Sequence, residues 1–254
     1  MCIKEVPDLD PEVELTIDRE KAWIGIDENS RFMMNRFDEY AVEEAIRIKE
    51  NHPDTWIDVV TVGTERAHMV LRRAMGMGAD HGIHIVTSEV GYISPFTLSS
   101  WIAQMAGTRN YDLVLTGVMS EDTMQGQTGV MLAEHLKIPW ATSVIKQEAT
   151  NNSVVVEREI EGGFRDILEL ELPCLLTIQS GINQPRYPSL SKVLKAKKAD
   201  LETIPADALG PEDDRLEVIE VDYPKKLREG RVLEGNQEDK ARQLLDLFVE
   251  KAFI

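Results

Sequence analysis

The chain has 254 residues, of which 43% are hydrophobic, which is enough to bury one sizeable core with an extension. Its net charge of -17 repels phosphate backbones and therefore argues against nucleic-acid binding. The chain has no apolar run long enough for a membrane span and no secretory pattern, and its two cysteines, Cys2 and Cys174, lie far apart. These features indicate a cytoplasmic protein that is not inserted in a membrane.

Short apolar segments alternate with amphipathic stretches through the first two-thirds of the chain. This alternation is typical of parallel strands joined by crossover helices, so we expect a doubly wound α/β fold with a mostly parallel sheet. The predicted strands are Cys2–Val6, Ile57–Val62, Gly82–Val86 and Leu113–Thr116. The predicted helices are Asp38–Lys49, Glu65–Met77, Pro95–Ala106 and Thr128–Leu136.

From about Thr142 the sequence alternates with a period of two, which predicts a β-hairpin that turns at Gly162-Gly163. Cys174–Ile178 is predicted to be a further strand. Asn183–Pro188 is predicted to be a loop because two prolines prevent regular pairing there.

The composition changes near the end of the chain, so we expect the nucleotide-binding domain to cover residues 1–198 and an extended C-terminal arm to cover residues 199–254. The arm is rich in Asp, Glu, Pro and Gly, with one brief strand-like stretch, Leu216–Val221. It ends in a predicted helix, Gln237–Phe253, whose apolar face requires a partner.

The segment that follows Leu113–Thr116 has the order strand, polar loop, helix. It places Gly126 and Gly129 beside the start of a helix, where free N–H groups can surround a phosphate. In open parallel sheets ligands bind beyond the carboxyl ends of the strands, and this loop leaves such an end. The alternative is a glycine-rich turn with only a conformational role. The loop is neither a Walker A motif nor GxGxxG, so neither hydrolysis nor Rossmann-type hydride transfer is supported.

No residue is assigned a catalytic role or a metal-ligating role. The five histidines lack metal-ligand spacing, and the chain contains no Gly-x-Ser-x-Gly sequence. Cys174 lies within an apolar strand, where a thiol packs as a small hydrophobic group.

Four segments of the chain together carry a family pattern. They are Cys2–Asp8, Met34–Ala45, Val156–Gly163 with its continuation Leu172–Thr177, and Asn183–Leu190 with its continuation Lys195–Lys198. These segments resemble the beta subunit of electron transfer flavoproteins, and the resemblance extends along nearly the whole chain. Arg36 stands where the family has proline, and Asp166 stands where it has Glu or Gln. The resemblance implies the adenine-nucleotide alpha-hydrolase-like form of the doubly wound fold.

The family resemblance implies a heterodimer in which a larger alpha subunit carries the redox-active FAD and the beta subunit binds an adenine nucleotide. This nucleotide is AMP in many members, whereas in electron-bifurcating members it is the ADP part of a second FAD. Val118, Met119 and Met124 replace residues that are often polar in the family, so the sequence leaves AMP and FAD open. The cofactor-binding residues implied by the resemblance are Cys2, Asn35, Arg36, Phe37, Asp38, Val62, Ser120, Asp122, Thr123, Gln125, Gly126, Gln127 and Thr128.

The resemblance also implies a recognition loop, residues 183–198, in which an exposed leucine anchors acyl-CoA or other dehydrogenases and lysines lie close by. An apolar side chain gives affinity, and charges at the rim steer the encounter. The alternatives are that Leu190 is a buried helix residue and that the lysines form a solvated face. The docking residues implied in this way are Tyr187, Leu190, Lys195, Lys197 and Lys198.

Arg158 and Glu161 are implied to lie at the interface with the alpha subunit, the alternative being a solvated strand face. We therefore expect an electron-carrier subunit between dehydrogenases and an acceptor, for which a membrane quinone oxidoreductase is a candidate. One rival is a bifurcating subunit with its own FAD that oxidises NADH. A second is a stand-alone nucleotide-binding protein of the universal-stress type, which shares this sheet topology but has no long acidic arm.

Overall fold

A computed structural model describes the chain in two compact units, Met1–Val221 and Asp222–Ile254. The described residues are 1–8, 16–19, 23–25, 30–88, 91–150, 152–210, 216, 218–223 and 230–253.

The first unit alternates strands and helices along the sequence. Its strands are β1 (Glu5–Pro7), β2 (Thr16–Asp18), β3 (Trp23–Gly25), β4 (Phe32–Met34), β5 (Asp58–Gly63), β6 (His81–Val86), β7 (Leu113–Gly117), β8 (Trp140–Ala149), β9 (Ser153–Glu159), β10 (Arg165–Glu171), β11 (Cys174–Ile178) and β12 (Glu202–Pro205). Its α-helices are α1 (Arg36–Asn51), α2 (His68–Met77), α3 (Pro95–Ala106), α4 (Thr128–Leu136) and α5 (Leu190–Lys198).

The central sheet has two parts that the start of the chain joins. One part has the strand order β12-β6-β5 and the other has the order β10-β9-β8-β11-β7. Cys2 lies between them: it forms a parallel bridge with Val60 of β5, and its amide donates to the Leu115 carbonyl of β7 at 2.9 Å. Strands β12, β6 and β5 are parallel to one another, and so are β7, β11 and β8. Strand β9 is antiparallel to both of its neighbours, β8 and β10. The predicted mostly parallel α/β fold is confirmed.

Helices cover both faces of this sheet because each carries an apolar stripe. On one face, Val42 of α1 and Leu71 of α2 belong to the same buried cluster as Leu176 of β11. On the other face, Trp101 of α3 and Leu132 of α4 pack in a cluster with Ile83 of β6. Burial of a side chain of this size stabilises the fold by roughly 2 kcal/mol, so the two clusters fix the positions of the strand ends.

The chain reverses its direction of travel across the sheet at its first strand. It passes from Met1–Lys4 to β5 and β6 on one side, and then crosses to β7 on the other side. In a doubly wound sheet, such a reversal opens a crevice beyond the carboxyl ends of the two diverging strands. The crevice therefore lies beyond Lys4 of the N-terminal segment and Gly117 of β7.

The structure near the end of the chain differs from the sequence prediction in one missed strand and one predicted strand-like stretch that does not form. Strand β12 was not predicted, although it pairs in parallel with β6, from Glu202 opposite Ile83 to Pro205 opposite Val86. Conversely, Leu216 and residues 218–221 form no regular strand, and residue 217 lies outside the described residues. Backbone pairing with an edge strand depends on tertiary position and gives only a weak pattern over four residues. As a result, the first unit continues past residue 198.

The second unit contains helix α6 (Gln237–Glu250), which ends three residues before the predicted Phe253. Asn236 and Asp239 form a reciprocal capping box that fixes its start. Its apolar side chains, including Leu245 and Phe248, are exposed. Across both units, no helix in the described ranges is long and apolar enough to span a bilayer.

Candidate functional site

A pocket of about 800 Å³, counting space open to solvent, lies at the crevice between the first strand and β7. It brings together most of the residues predicted from the family resemblance to bind a cofactor. The predicted residues that line the pocket are Cys2, Asn35, Asp38, Val62, Ser120, Thr123, Gln125, Gly126, Gln127 and Thr128. Arg36, Phe37 and Asp122 do not line it.

One wall of the pocket is apolar and was missed by the sequence analysis. Ile93 precedes α3, and Pro95, Leu98 and Ile102 extend the wall along that helix. The spacing of three and four residues between these last three places them on one face of the helix, so the signal was present in the sequence. The sequence analysis predicted this segment only as a crossover helix. A flat aromatic group fits such a wall.

The opposite side of the pocket is the loop from Gly117 to Gln127, which we call the nucleotide loop. Gly126 has φ of +62°, which a residue with a side chain adopts only with strain. Gly129 lies so close to β7 that a Cβ atom there would be 2.9 Å from the Thr116 Oγ1 atom. The glycines therefore permit both the turn and the close packing of α4 on the sheet.

The start of α4 lines the pocket through Thr128 and Gly129. Gln127 occupies the N-cap position, but its side chain makes no capping hydrogen bond. The neighbouring helix α3 differs, because the Ser94 Oγ atom accepts a hydrogen bond from the Thr97 amide at 3.1 Å. An uncapped helix start carries partial positive charge and binds anions.

Asn35, just before α1, holds the nucleotide loop in place. Its side-chain amide donates to the Met119 carbonyl at 2.8 Å, and its side-chain oxygen accepts from the Glu121 amide at 3.1 Å. The Asn35 side chain is 1% exposed and pairs with the loop much as a neighbouring strand would. Its polar atoms are thus engaged within the protein.

Asp38, in the first turn of α1, joins the two strands that flank the crevice. One carboxylate oxygen accepts from the Lys4 amide at 2.7 Å and the other from the Gly117 amide at 3.0 Å. Burial raises the pKa of Asp38 to about 7, and the hydrogen bonds from these amides oppose the shift. A neutral Asp38 reduces the negative charge beside the pocket.

Lys4 is a cation of the pocket that the sequence analysis did not select. Its ammonium group lies 2.6 Å from a carboxylate oxygen of Asp122 and 3.5 Å from the Ser120 hydroxyl, which itself pairs with Thr123. Among the described lining residues no other Lys or Arg occurs. Because side chains two residues apart on a strand share a face, the position of Cys2 could have identified Lys4.

Arg36 and Gln125, which were predicted, and Tyr92, which was not, make contacts on the outer side of the nucleotide loop. Arg36 pairs with Glu121 of the nucleotide loop, with its amide 3.2 Å from the Glu121 carboxylate. Gln125 exchanges hydrogen bonds with the Tyr92 hydroxyl, and the Tyr92 ring packs against Trp23 of β3. These contacts brace the nucleotide loop from outside.

The predicted docking residues lie away from the pocket, on and before α5. Leu190 is the first residue of α5 and is 75% exposed, so the alternative of a buried helix residue is wrong. Tyr187 is also exposed. Lys195, Lys197 and Lys198 are exposed in the last turns of the helix.

Arg158 and Glu161, predicted to lie at a subunit interface, are neighbours at the β9–β10 hairpin. Arg158 is half-buried, and its Nε atom is buried without a hydrogen-bond partner among the described residues. Glu161 is exposed, next to Gly162 and Gly163, both of which have positive φ. No contact in the described chain tests the interface assignment.

Comparison with known proteins gives a consistent result. A family model described as "Electron transfer flavoprotein domain" matches residues 23–209. The chain is 36% identical over 231 residues to the electron transfer flavoprotein subunit beta of Bacillus subtilis, covering 89% of each chain. It is 34% identical over 241 residues to the protein of that name from Bos taurus, covering 94% of this chain and 93% of the relative. The chain therefore belongs to the family of electron transfer flavoprotein beta subunits.

Proposed function

We propose that the chain binds an adenine nucleotide in the pocket and works as the beta subunit of a heterodimeric electron carrier. The observation that carries the nucleotide assignment is the uncapped start of α4, which opens on a pocket with an apolar wall. The amides at Thr128 and Gly129 bind the phosphate, because a helix start favours an anion even in a protein with a net charge of -17. The adenine ring packs against Leu98 and Ile102.

The electrons are carried by the FAD of an alpha subunit, and this chain positions that subunit and its redox partners. The apolar side chains of α6, including Leu245 and Phe248, are exposed and provide a surface for the alpha subunit. In the first unit, Arg158 and Glu161 are likewise assigned to contacts with the alpha subunit, as is the arm. Arg158 supports this assignment because its buried Nε atom lacks a partner within the described chain.

Leu190 and Tyr187 form the proposed docking surface for an acyl-CoA dehydrogenase or a related enzyme, in the cytoplasm. Both side chains are large and exposed, and both are flanked by the lysines of α5. The lysines steer an acidic partner, while the small apolar contact allows rapid release. A membrane quinone oxidoreductase is the proposed acceptor.

The nucleotide assignment is tested by coexpression with an alpha subunit, purification of the heterodimer and extraction of its nucleotides. We expect one FAD and one AMP per heterodimer for a simple carrier. Two FAD molecules would instead identify a bifurcating subunit that oxidises NADH. A stable nucleotide-binding monomer that does not copurify with an alpha subunit would support the stress-type rival.

Replacement of Gly126 by valine tests the phosphate site. A β-branched residue at φ of +62° distorts the nucleotide loop, and we expect the affinity of the heterodimer for AMP to fall at least tenfold, the loss that about 1.4 kcal/mol of strain produces. Gly181→Val is the control, because Gly181 also has positive φ, of +87°, but lies outside the pocket. An unchanged AMP affinity in Gly126→Val would refute the site.

Replacement of Leu190 by alanine tests docking. We expect the KM for the carrier in an acyl-CoA dehydrogenase assay to rise about tenfold with unchanged nucleotide content, since one anchoring side chain contributes about 1–2 kcal/mol. Met69→Ala, which removes an exposed apolar side chain of α2, is the control. Unchanged transfer kinetics in Leu190→Ala would contradict the docking role.

A further inference from the structure

Helix α1 buries two adjacent carboxylates in its middle. Glu43 is 2% exposed and Glu44 is 6% exposed, although their neighbours Val42 and Ala45 are core residues. A buried carboxylate is costly unless it is paired and hydrogen-bonded. Both of these carboxylates find their partners in residues 183–186, directly before the exposed docking residues.

Glu43 holds Arg186 by three hydrogen bonds. The Arg186 Nε and Nη2 atoms donate to the two carboxylate oxygens at 2.8 and 2.9 Å, and the Arg186 backbone amide donates at 3.1 Å. Burial alone would raise the pKa of Glu43, but the hydrogen bonds and charge of Arg186 hold it below its usual range. A two-pronged contact of this kind fixes orientation as well as distance.

Glu44 fixes the start of the same segment. The side-chain amide of Asn183 donates to a Glu44 oxygen at 2.8 Å and to the Tyr40 carbonyl at 2.9 Å. The second Glu44 oxygen accepts from Gln147 of β8 at 2.8 Å. The chain between Asn183 and Arg186 is therefore tied to α1 at both ends.

Helix α5 is held at its far end as well. The Arg72 guanidinium of α2 donates to the Ala196 carbonyl at 2.7 Å, and Ala196 itself is buried. Near the start of α5, Pro188 packs over Gly76, where a Cβ atom would lie 3.3 Å from the proline ring. Tyr187 and Leu190 project from a segment that is fixed on both sides.

We infer that Glu43 is a positioning residue for partner docking, which acts by holding Arg186 so that Leu190 is presented in its binding position before the partner arrives. The inference rests on the proposed docking function. A segment ordered in advance binds more tightly because less conformational freedom is lost on association. Glu43 contacts neither partner nor nucleotide in this scheme.

The test compares Glu43→Gln with Glu50→Gln in the purified heterodimer. Glu50 also pairs with Arg186, at 2.6 Å, but its side chain is 55% exposed and an exposed pair contributes little. In Glu43→Gln we expect amide hydrogen exchange at residues 187–198 to speed up about tenfold and the KM for the carrier with an acyl-CoA dehydrogenase to rise about tenfold. We expect unchanged kcat and AMP content. Glu50→Gln should stay within about twofold of the wild type.

Two results would overturn the inference. Faster exchange in Glu43→Gln with an unchanged KM would show that the pair serves stability alone, and equal effects of Glu43→Gln and Glu50→Gln would show a general charge effect. Arg186→Lys is the second variant, usable if Glu43→Gln does not fold: it keeps the charge but loses the two-pronged contact, and we expect the same rise in KM. An unchanged KM in Arg186→Lys counts against the inference.

Leu190→Ala separates this inference from the function on which it rests. If Leu190→Ala leaves KM unchanged, the docking function itself fails. If Leu190→Ala raises KM and Glu43→Gln does not, docking stands and the positioning role of Glu43 fails.

Discussion

Asp38 and Glu43 are buried carboxylates only five residues apart on α1, and they are stabilised in opposite ways. Asp38 accepts hydrogen bonds from the backbone amides of Lys4 and Gly117, and burial raises its pKa to about 7. Glu43 accepts hydrogen bonds from the guanidinium of Arg186. This contact holds the pKa of Glu43 below its usual range, although burial alone would raise it. Near pH 7 the first carboxyl group is therefore about half protonated, whereas the second is charged.

This difference suits the two ends to different tasks. The Asp38 end of α1 adjoins the proposed nucleotide site, where an anchor made of amides and a partly protonated carboxyl group would repel a phosphate less than a full negative charge. The Glu43 end adjoins the proposed docking segment, where a full ion pair can fix orientation. Asp38 and Glu43 are both buried, so it is the group that donates to each carboxylate that decides whether its pKa is raised or lowered.

The largest effect is expected when the amide anchor is removed. Asp38→Ala leaves the amides of Lys4 and Gly117 without acceptors, and we expect the free energy of unfolding to fall by about 4 kcal/mol, at roughly 2 kcal/mol per buried group. Urea denaturation followed by circular dichroism measures this change. Glu50→Ala, at an exposed ion pair, should lower the free energy of unfolding far less. A similar fall in the free energy of unfolding for Asp38→Ala and Glu50→Ala would show that the amide anchor contributes no more than an exposed ion pair.

The pH dependence of stability separates the two anchors directly. Because the pKa of Asp38 is raised in the folded state, its contribution is fully present below pH of about 4 and is lost as pH rises through about 7. We expect the unfolding free energy of the wild type to fall relative to Asp38→Asn over this window, by up to about 1.4 kcal/mol per pH unit. Parallel profiles for the two proteins would show that Asp38 is ionised throughout.

Glu43 should show the reverse sign at lower pH. Its pKa is lowered from 4.5 in the folded state, so its contribution is present above that pH and is lost as pH falls through the folded value. The stability advantage of the wild type over Glu43→Gln, about 2 kcal/mol near pH 7 for a charged hydrogen-bonded pair, should shrink on acidification. An advantage that grows in acid would contradict the ion pair with Arg186.

The smallest effect concerns the loop contact of Lys4. The pair with Asp122 is partly exposed, with side-chain exposures of 34% and 13%, so its coupling should be modest. A double-mutant cycle with Lys4→Met and Asp122→Asn, measured by AMP titration of the heterodimer, should give about 1 kcal/mol of coupling, or roughly fivefold in affinity. Strictly additive losses would show that the pair does not shape the nucleotide loop.

Local patterns were sufficient to predict the sheet and the nucleotide loop. Alternating apolar segments predicted β5, β6, β7 and β11 because these strands are buried on both faces. The strand-loop-helix order around Gly126 predicted the position of the pocket because ligands bind beyond the carboxyl ends of parallel strands.

The contacts that organise both sites could not be predicted, because they join residues distant in sequence. Nothing local marks Glu43 as the partner of Arg186, 143 positions later, or Lys4 as the partner of Asp122, 118 positions later. A glutamate in an apolar helix stripe, as at Glu43, is a signal that a buried partner exists, but it does not identify that partner. Strand β12 was missed because its pairing with β6 is likewise long-range.

The edge strand β12 connects helix α5 to the central sheet. The chain leaves β11, passes through α5 and returns to the sheet beside β6, so α5 is a crossover helix of the fold. In the proposed docking, an enzyme that contacts Leu190 would therefore be oriented by the central sheet itself. Under that proposal the two proteins separate by breaking a small apolar contact, and the approach geometry stays the same from one encounter to the next.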